Sequence, residues 1–151
     1  MKTLLTLFGL LLVTSIVCAK SPITLPEVEG RFVRIEIPDK SSALILAEVE
    51  VYDTKGKNIA FSKQATQSSD LGSRCAARAV DGSRDGDMRN DSCTHTKGEK
   101  HPWWEVDIGK SKSIEKVVIY NASGRPQRLE GFTLSILNER RQVVYLSLIH
   151  I

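Results

Sequence analysis

Alternation between apolar and polar residues, repeated in short segments, constrains the fold of this 151-residue chain more than any other feature of its sequence. In the segment RFVRIEI, Val33, Ile35 and Ile37 alternate with charged residues. The segment FTLSIL at 132–137 repeats the pattern. A period of two residues is typical of a β-strand with one buried face. Strands this short and evenly spaced predict an all-β fold, an antiparallel β-sandwich or jelly roll.

Two further segments extend the pattern. In LAEVEVY, Ala47, Val49 and Val51 alternate with two glutamates, so we expect these three residues to share one face. The segment IEKVVIY at 114–120 is mostly apolar, which predicts a strand buried on both faces. Only SRCAARAV at 73–80 has the pattern of a short helix.

The two ends of the chain differ from the part between them. Residues 1–19 combine a basic start, an apolar stretch and small residues before a cut after Ala19, which predicts a signal peptide. The mature chain is then secreted, periplasmic or at the cell surface. We expect residues 20–29 to be a loose leader and residues 30–145 a single domain. The final LSLIHI, residues 146–151, matches a translated sequencing adapter and predicts a non-native tail of a truncated gene; an apolar final strand is the alternative.

Charge and motif content exclude several classes of function. Lys and Arg number 21 against 18 Asp and Glu, so the chain lacks the charge excess typical of nucleic-acid binding. The apolar stretch at the start is too short for a stable membrane span. No nucleophile–base arrangement, phosphate-binding loop, dinucleotide fingerprint or zinc spacing occurs, so we expect no enzymatic activity.

An acidic loop with two glycines, AVDGSRDGDMRNDS at residues 79–92, has the composition of a cation site. Hard cations such as calcium take about six to eight oxygens, many of them from the carbonyls of such turns. The spacing is not that of an EF-hand, because no glutamate stands at the last ligand position. From these residues alone, a solvated acidic turn and a metal site are both open.

Five segments in a fixed order resemble the F-type lectins. They are NIAFSKQATQSS (58–69), ARAVDGSRDGD (77–87), CTHT (93–96), PWWEVDIG (102–109) and RLEGF (128–132). This family is the fucolectin branch of the discoidin, or coagulation factor 5/8 type C, fold, a galactose-binding-domain-like β-sandwich. The segment GRFVRIEIPDKSSALILAEVEVYD, residues 30–53, resembles the closing strands of the family but comes first. The resemblance therefore implies a circularly permuted domain, as in secreted planctomycete-type bacterial proteins.

The resemblance implies one structural calcium ion in the acidic loop. Ligands would come from the loop and from the permuted strand. They would be the carboxylates of Asp81 and Glu48, the hydroxyl or carbonyl of Ser92, and the backbone carbonyls of Arg78, Ser83 and Ala47.

The resemblance also implies a fucose site, of which this chain keeps part. The motif of the family is a histidine, then Arg-x-Asp, then a further basic residue. His95 and Arg128 match its ends, whereas Ala122 and Gly124 replace the arginine and the aspartate. Arg125 lies close in sequence. We therefore expect a carbohydrate-binding module that binds fucose or another glycan weakly. The alternatives are an adhesive or structural discoidin-type domain with a decayed sugar site, and a targeting module of a larger secreted hydrolase.

Two residue pairs have structural interpretations. Cys75 and Cys93 remain after signal cleavage, and both a disulfide between them and two free thiols are open. In animal members of the family, the cysteine that matches Cys93 pairs with one at the position of Ala47, so the resemblance implies that this bridge is absent. Trp103 and Trp104 alternate across a strand, which predicts that only one of them faces the core.

Overall fold

The computed structural model describes residues 20–38 and 40–149, so the predicted signal peptide lies outside the described residues. The strands are β1 (Lys20–Glu36), β2 (Ser41–Ser42), β3 (Leu46–Asp53), β4 (Gln64–Gln67), β5 (Glu99–Lys100), β6 (Trp103–Asn121), β7 (Phe132–Leu137) and β8 (Val143–Ile149). Short 3₁₀ helices η1 (Ala76–Val80), η2 (Met88–Asn90) and η3 (Pro126–Leu129) lie in the connections. No helix in these two ranges is long and apolar enough to cross a membrane.

The strand pairs are all antiparallel, which confirms the predicted all-β class and its sandwich type. The main sheet has the order β3-β6-β1-β7-β8, with β4 paired to β6, and β2 and β5 form a separate pair. The long strand β6 has a different outer neighbour in each half. β4 runs beside residues 104–107 and β3 beside residues 114–121. β6 therefore changes its outer partner between residues 107 and 114.

β1 lies between β6 and β7, and its length corrects the expectation of a loose leader. Residues 20–24 pair with 116–120 of β6, and Leu25 and Val28 are buried. Pro26 falls in an irregularity of the register between Thr24 and Val28, where no ladder hydrogen bond is required of it. The segment that was expected to be a leader therefore pairs, as part of β1, with the apolar second half of β6.

The core follows the predicted alternation in β1. Val33, Ile35 and Ile37 are completely buried, whereas the charged residues between them are only half-buried. Trp104 is also completely buried, and its indole Nε1 donates a hydrogen bond to the carbonyl of Ala76 at 2.9 Å. These contacts confirm the one-sided strand and a core position for one tryptophan of the pair.

The strand β3 departs from strict alternation because it contains a bulge. Its register against β6 shifts between Leu46 and Glu48. Leu46 therefore joins Val49 and Val51 in the main core. Ala47 lies instead in a second apolar cluster, so the expectation that it shares a face with Val49 and Val51 is wrong. A bulge adds one residue to a strand, so the side chains before it face the opposite side of the sheet from the one that strict alternation predicts.

β7 and β8 form a hairpin at the end of the described chain. The Asn138 side chain closes the turn, because its Oδ1 accepts the backbone N–H groups of Arg140 at 2.9 Å and Gln142 at 3.0 Å. Residues 146–149, expected to be part of a non-native tail, pair with 132–135 of β7. In the structure they take the alternative form, an apolar final strand.

Candidate functional site

Glu48 of β3 contacts the acidic loop through a buried carboxyl group. It is completely buried in β3, and its Oε1 accepts the backbone N–H of Gly82 at 3.1 Å. No residue that the structure describes donates a hydrogen bond to its Oε2. Burial, together with the nearby charges of Asp81 and Glu50, raises the pKa of Glu48 to about 8. A buried carboxylate oxygen without a partner is costly, and a cation at this place would remove the cost.

The acidic loop brings several oxygen atoms close to one another, and its residues Asp81 and Gly82 lie beside Glu48. Asp81 follows η1, and its carboxylate accepts the backbone N–H of Ser83 at 2.8 Å. The Ser92 hydroxyl donates to the carbonyls of Asp85 at 2.6 Å and Asp87 at 3.1 Å, so several carbonyl oxygens lie close together. Within the described residues, no cluster of three or more His, Cys, Asp or Glu side chains occurs. The expected calcium ligands include only two side chains of these types, those of Glu48 and Asp81. The other expected oxygens belong to backbone carbonyls and to Ser92.

The Arg78 side chain forms an ion pair with Asp91. Its Nη1 is 2.6 Å from the Asp91 carboxylate. Asp91 adopts a left-handed conformation (φ 57°) at the end of η2. This ion pair ties η1 to the end of η2.

A second buried carboxylate, which the sequence did not single out, fixes the other side of the loop. Glu50 is 5% exposed and accepts hydrogen bonds from the hydroxyls of Tyr52 at 2.8 Å and Tyr120 at 3.3 Å. The Nε of Arg84, in the middle of the loop, donates to it at 2.8 Å. Glutamates at alternate positions of a buried strand were the only sequence signal for this contact.

The segment 93–96 runs beside residues 44–46 and carries the candidate sugar-binding histidine. Thr94 and Thr96 are completely buried, and their hydroxyls accept the backbone N–H groups of Leu46 at 3.1 Å and Leu44 at 2.9 Å. Their own backbone N–H groups donate to the carbonyls of the same two leucines. His95 stands between the two threonines and is half-buried.

Hydrogen bonding fixes the tautomer of His95. Its Nδ1 lies 2.6 Å from the Thr96 carbonyl oxygen, which can only accept, so Nδ1 carries the proton. The free Nε2 lies 3.4 Å from Nη1 of Arg128. Burial lowers the pKa of His95, and the positive charges of Arg128 and Arg74 lower it further. The imidazole is therefore neutral near pH 7 and offers Nε2 as an acceptor.

A pocket of about 340 Å³ opens beside this imidazole, lined by Leu71, Arg74, Met88, Arg89 and His95. Of these residues, sequence reasoning found only His95. The others lie in two irregular loops, and no periodicity in the sequence indicates that these loops approach one another. The Arg74 Nη2 donates to the carbonyl of Met88 at 3.1 Å, which holds the two sides of the pocket together.

The structure brings together only part of the expected sugar-binding set. His95 and Arg128 meet, whereas Arg125 is exposed at the N-cap of η3 and makes no described contact with His95. Ala122 is buried in the second apolar cluster. At Gly124, an added Cβ would lie 3.3 Å from the Met88 terminal methyl, so Met88 fills the space beside that position.

Cys75 and Cys93 are both free thiols, so the structure contradicts the disulfide between them. Cys93 is completely buried in the second apolar cluster with Ala47 and Ala122, whereas Cys75 is exposed at the start of η1. Burial raises the pKa of the Cys93 thiol, which keeps it protonated and unreactive. Cys93 and position 47 lie in one cluster, in agreement with the pairing of these positions that the resemblance implied.

The part of the chain that holds this site is similar to known proteins. Residues 78–146 match the family described as F5/8 type C, NedA-like, galactose-binding domain. Fucolectin of Anguilla anguilla is 40% identical over 86 residues, which cover 53% of this chain and 54% of that protein. Fucolectin-4 of Anguilla japonica is 41% identical over 70 residues, 43% of this chain and 38% of that protein. A pentraxin fusion protein of Xenopus laevis is 31% identical over 88 residues, 57% of this chain and 21% of that protein.

The chain thus spans about half the length of the first of these relatives and less of the others. The segment matched to the family contains the whole acidic loop, His95 and Arg128. The antiparallel all-β architecture agrees with the match. These matches support an F-type-lectin-like or discoidin-like domain, and residues 78–146 are similar to the F5/8 type C, galactose-binding family.

Proposed function

We propose that this chain is a secreted, non-catalytic carbohydrate-binding module, lectin-like and stabilised by one calcium ion. The observation that carries sugar binding is the approach of His95 Nε2 and Arg128 Nη1 to 3.4 Å beside an open pocket. The relatives named fucolectin and the family description support a sugar as the ligand. The signal peptide predicted from residues 1–19 supports secretion.

The pocket offers both kinds of contact that a sugar needs. When a sugar binds, one of its hydroxyls replaces Arg128 as the hydrogen-bond donor to His95 Nε2, and the Arg128 guanidinium, which lies beside His95, donates instead to a ring or hydroxyl oxygen. Leu71 and Met88 pack against the apolar face of the ring. Because unmatched polar groups in such a site are costly, an oriented acceptor and donor discriminate between sugars by the direction of their hydroxyls.

Calcium fits the residues of the acidic loop. The partnerless Oε2 of Glu48 and the adjacent Asp81 carboxylate supply negative charge, and loop carbonyls and Ser92 supply neutral oxygens. The carbonyls of Arg78, Ser83 and Ala47 complete the proposed set. Such an ion, when bound, cross-links β3 to the loop and screens its carboxylates from one another.

An adhesive or structural role without sugar binding is the second candidate. It is favoured by the burial of Ala122 and by the contact of Gly124 with Met88, because the motif places an arginine and an aspartate at these two positions. Neither candidate requires a reacting group, and the proposal assigns no chemical step to the chain.

A glycan array followed by titration calorimetry tests the proposal. The wild-type chain, loaded with calcium, should bind at least one sugar class, and His95→Ala should weaken that binding about ten- to a hundred-fold. The matched control is His101→Asn, because His101 is exposed and asparagine tolerates its left-handed backbone (φ 52°). Absence of binding to every glycan, or equal loss in both variants, would instead favour the adhesive role.

A further inference from the structure

We infer that the sugar taken by the His95 pocket is anionic, a glycan unit that carries a carboxylate or a sulfate ester. This inference rests on the proposed sugar-binding function and names the class of sugar. The Arg74 and Arg128 guanidinium groups hold the anionic substituent, and His95 accepts a hydroxyl of the same ring.

The positive charge at the pocket is only partly neutralised by nearby carboxylates. Among the residues that the structure describes, Arg128 forms no ion pair, and its guanidinium lies 3.4 Å from Nε2 of the neutral His95. The Arg74 Nε is 3.8 Å from the nearest carboxylate oxygen, on Asp91. Asp91 is bound more closely by Arg78, at 2.6 Å, so it leaves most of the Arg74 charge available.

Asp87, next to the lining residues Met88 and Arg89, is also engaged. Asp87 accepts three side-chain hydrogen bonds from Arg89, at distances between 2.6 and 3.1 Å, and one from the Arg89 backbone N–H. The Asp87–Arg89 pair has no net charge. It lies at the rim of the pocket, where Arg89 is largely exposed. Gly124 stands where the family motif has an aspartate, so that acidic group is missing as well.

A cationic pocket with one neutral acceptor matches an anionic sugar better than a neutral one. A carboxylate or sulfate oxygen accepts charge-assisted hydrogen bonds from guanidinium, which are about twice as strong as neutral ones. A neutral sugar offers these arginines only hydroxyl and ring oxygens. Leu71 and Met88 contribute the same apolar contact to both kinds of sugar and therefore do not discriminate between them.

The test compares sugars that share one ring. Titration calorimetry is run with methyl galactoside, its 6-sulfate and the corresponding galacturonate, and N-acetylneuraminate and L-fucose are added as further probes. The sulfate and carboxylate arms separate the two sources of charge. At least one anionic probe should bind about ten- to a hundred-fold more tightly than its neutral partner, and this advantage should shrink at high salt.

Variants assign the preference to the arginines. Arg128→Gln and Arg74→Gln should each reduce it, Arg128→Lys should retain most of it, and Arg140→Gln, on an exposed turn residue, should leave it unchanged. Thermal melts check that each variant is folded, and the salt dependence of the wild-type chain tests the charge without any substitution. Equal affinity for neutral and anionic rings, or a preference that survives both glutamine variants, would overturn the inference and leave sugar binding intact. Failure to bind any sugar would overturn the proposed function itself.

Discussion

Replacement of Glu48 by glutamine should have opposite effects with and without calcium. Without calcium, the wild-type protein must keep a buried carboxyl group whose Oε2 has no described partner. Its pKa lies at about 8 in the folded protein against 4.5 for the unperturbed group. A difference of this size corresponds to as much as roughly 5 kcal/mol between the protonation states. Glutamine keeps the oxygen that accepts the Gly82 N–H and carries no charge.

The sign of the pH dependence follows from the raised pKa. Well below pH 4.5, Glu48 is protonated in both the folded and the unfolded chain, so no buried negative charge lowers the stability. As the pH rises, the unfolded chain releases this proton first, so the folded state loses stability until about pH 8, above which the loss is complete. In EDTA, Glu48→Gln should therefore match the wild type at low pH and exceed it increasingly toward pH 8.

Calcium reverses the order of the two proteins. An ion that binds only the folded state adds about 2.7 kcal/mol at a hundred-fold excess over its dissociation constant, and Glu48→Gln removes a charged ligand. Thermal and urea melts across pH, in EDTA and then in excess calcium, measure both effects, with Asp81→Asn as a second ligand variant. Parallel stability curves in EDTA would refute the buried-charge reasoning, and identical wild-type midpoints in EDTA and in calcium would refute the metal site.

Two packing predictions concern the elements that carry the loop and the pocket. Thr94→Val should lower the free energy of unfolding by about 1–3 kcal/mol, because it leaves a buried backbone N–H of β3 without an acceptor. Thr66→Val, which removes no described hydrogen bond, is the control, and an equal effect in urea melts would contradict the reasoning. Gly86→Ala should cost about 1–3 kcal/mol, because its Cβ would lie 2.8 Å from the Asn121 carbonyl oxygen. Gly98→Ala meets no atom within 4 Å and should be near neutral, so similar melts for both alanine variants would show that the loop yields freely.

The alternation in the sequence was sufficient to predict the fold class and part of the core. Val33, Ile35 and Ile37 all face the core, because a regular strand preserves the parity of its side chains. The same reasoning failed at Ala47, since a bulge depends on the partner strand and leaves no periodic signal. It also failed for residues 20–29, where two prolines suggested a leader while the apolar partner strand β6 determined the outcome.

The candidate site was only partly accessible from the sequence. The resemblance selected His95 and Arg128, and the structure brings them together. The roles of Arg74 and Met88 depend on how two irregular loops meet, which neither composition nor spacing encodes. Likewise, the partnerless oxygen of Glu48 is a property of its tertiary environment, because a glutamate in an alternating strand is ordinarily expected to face solvent.

The pairing of β1 with β6 has a consequence for how this domain folds. Lys20 lies opposite Tyr120 and Glu36 lies opposite Trp103, so the central ladder joins residues from nearly opposite ends of the domain. Closing such long loops costs chain entropy before any of the ladder can form. Domains dominated by distant strand pairings fold in roughly milliseconds to seconds, far more slowly than helical bundles of the same size. During synthesis, β1 must therefore wait without its partner until most of the chain has emerged.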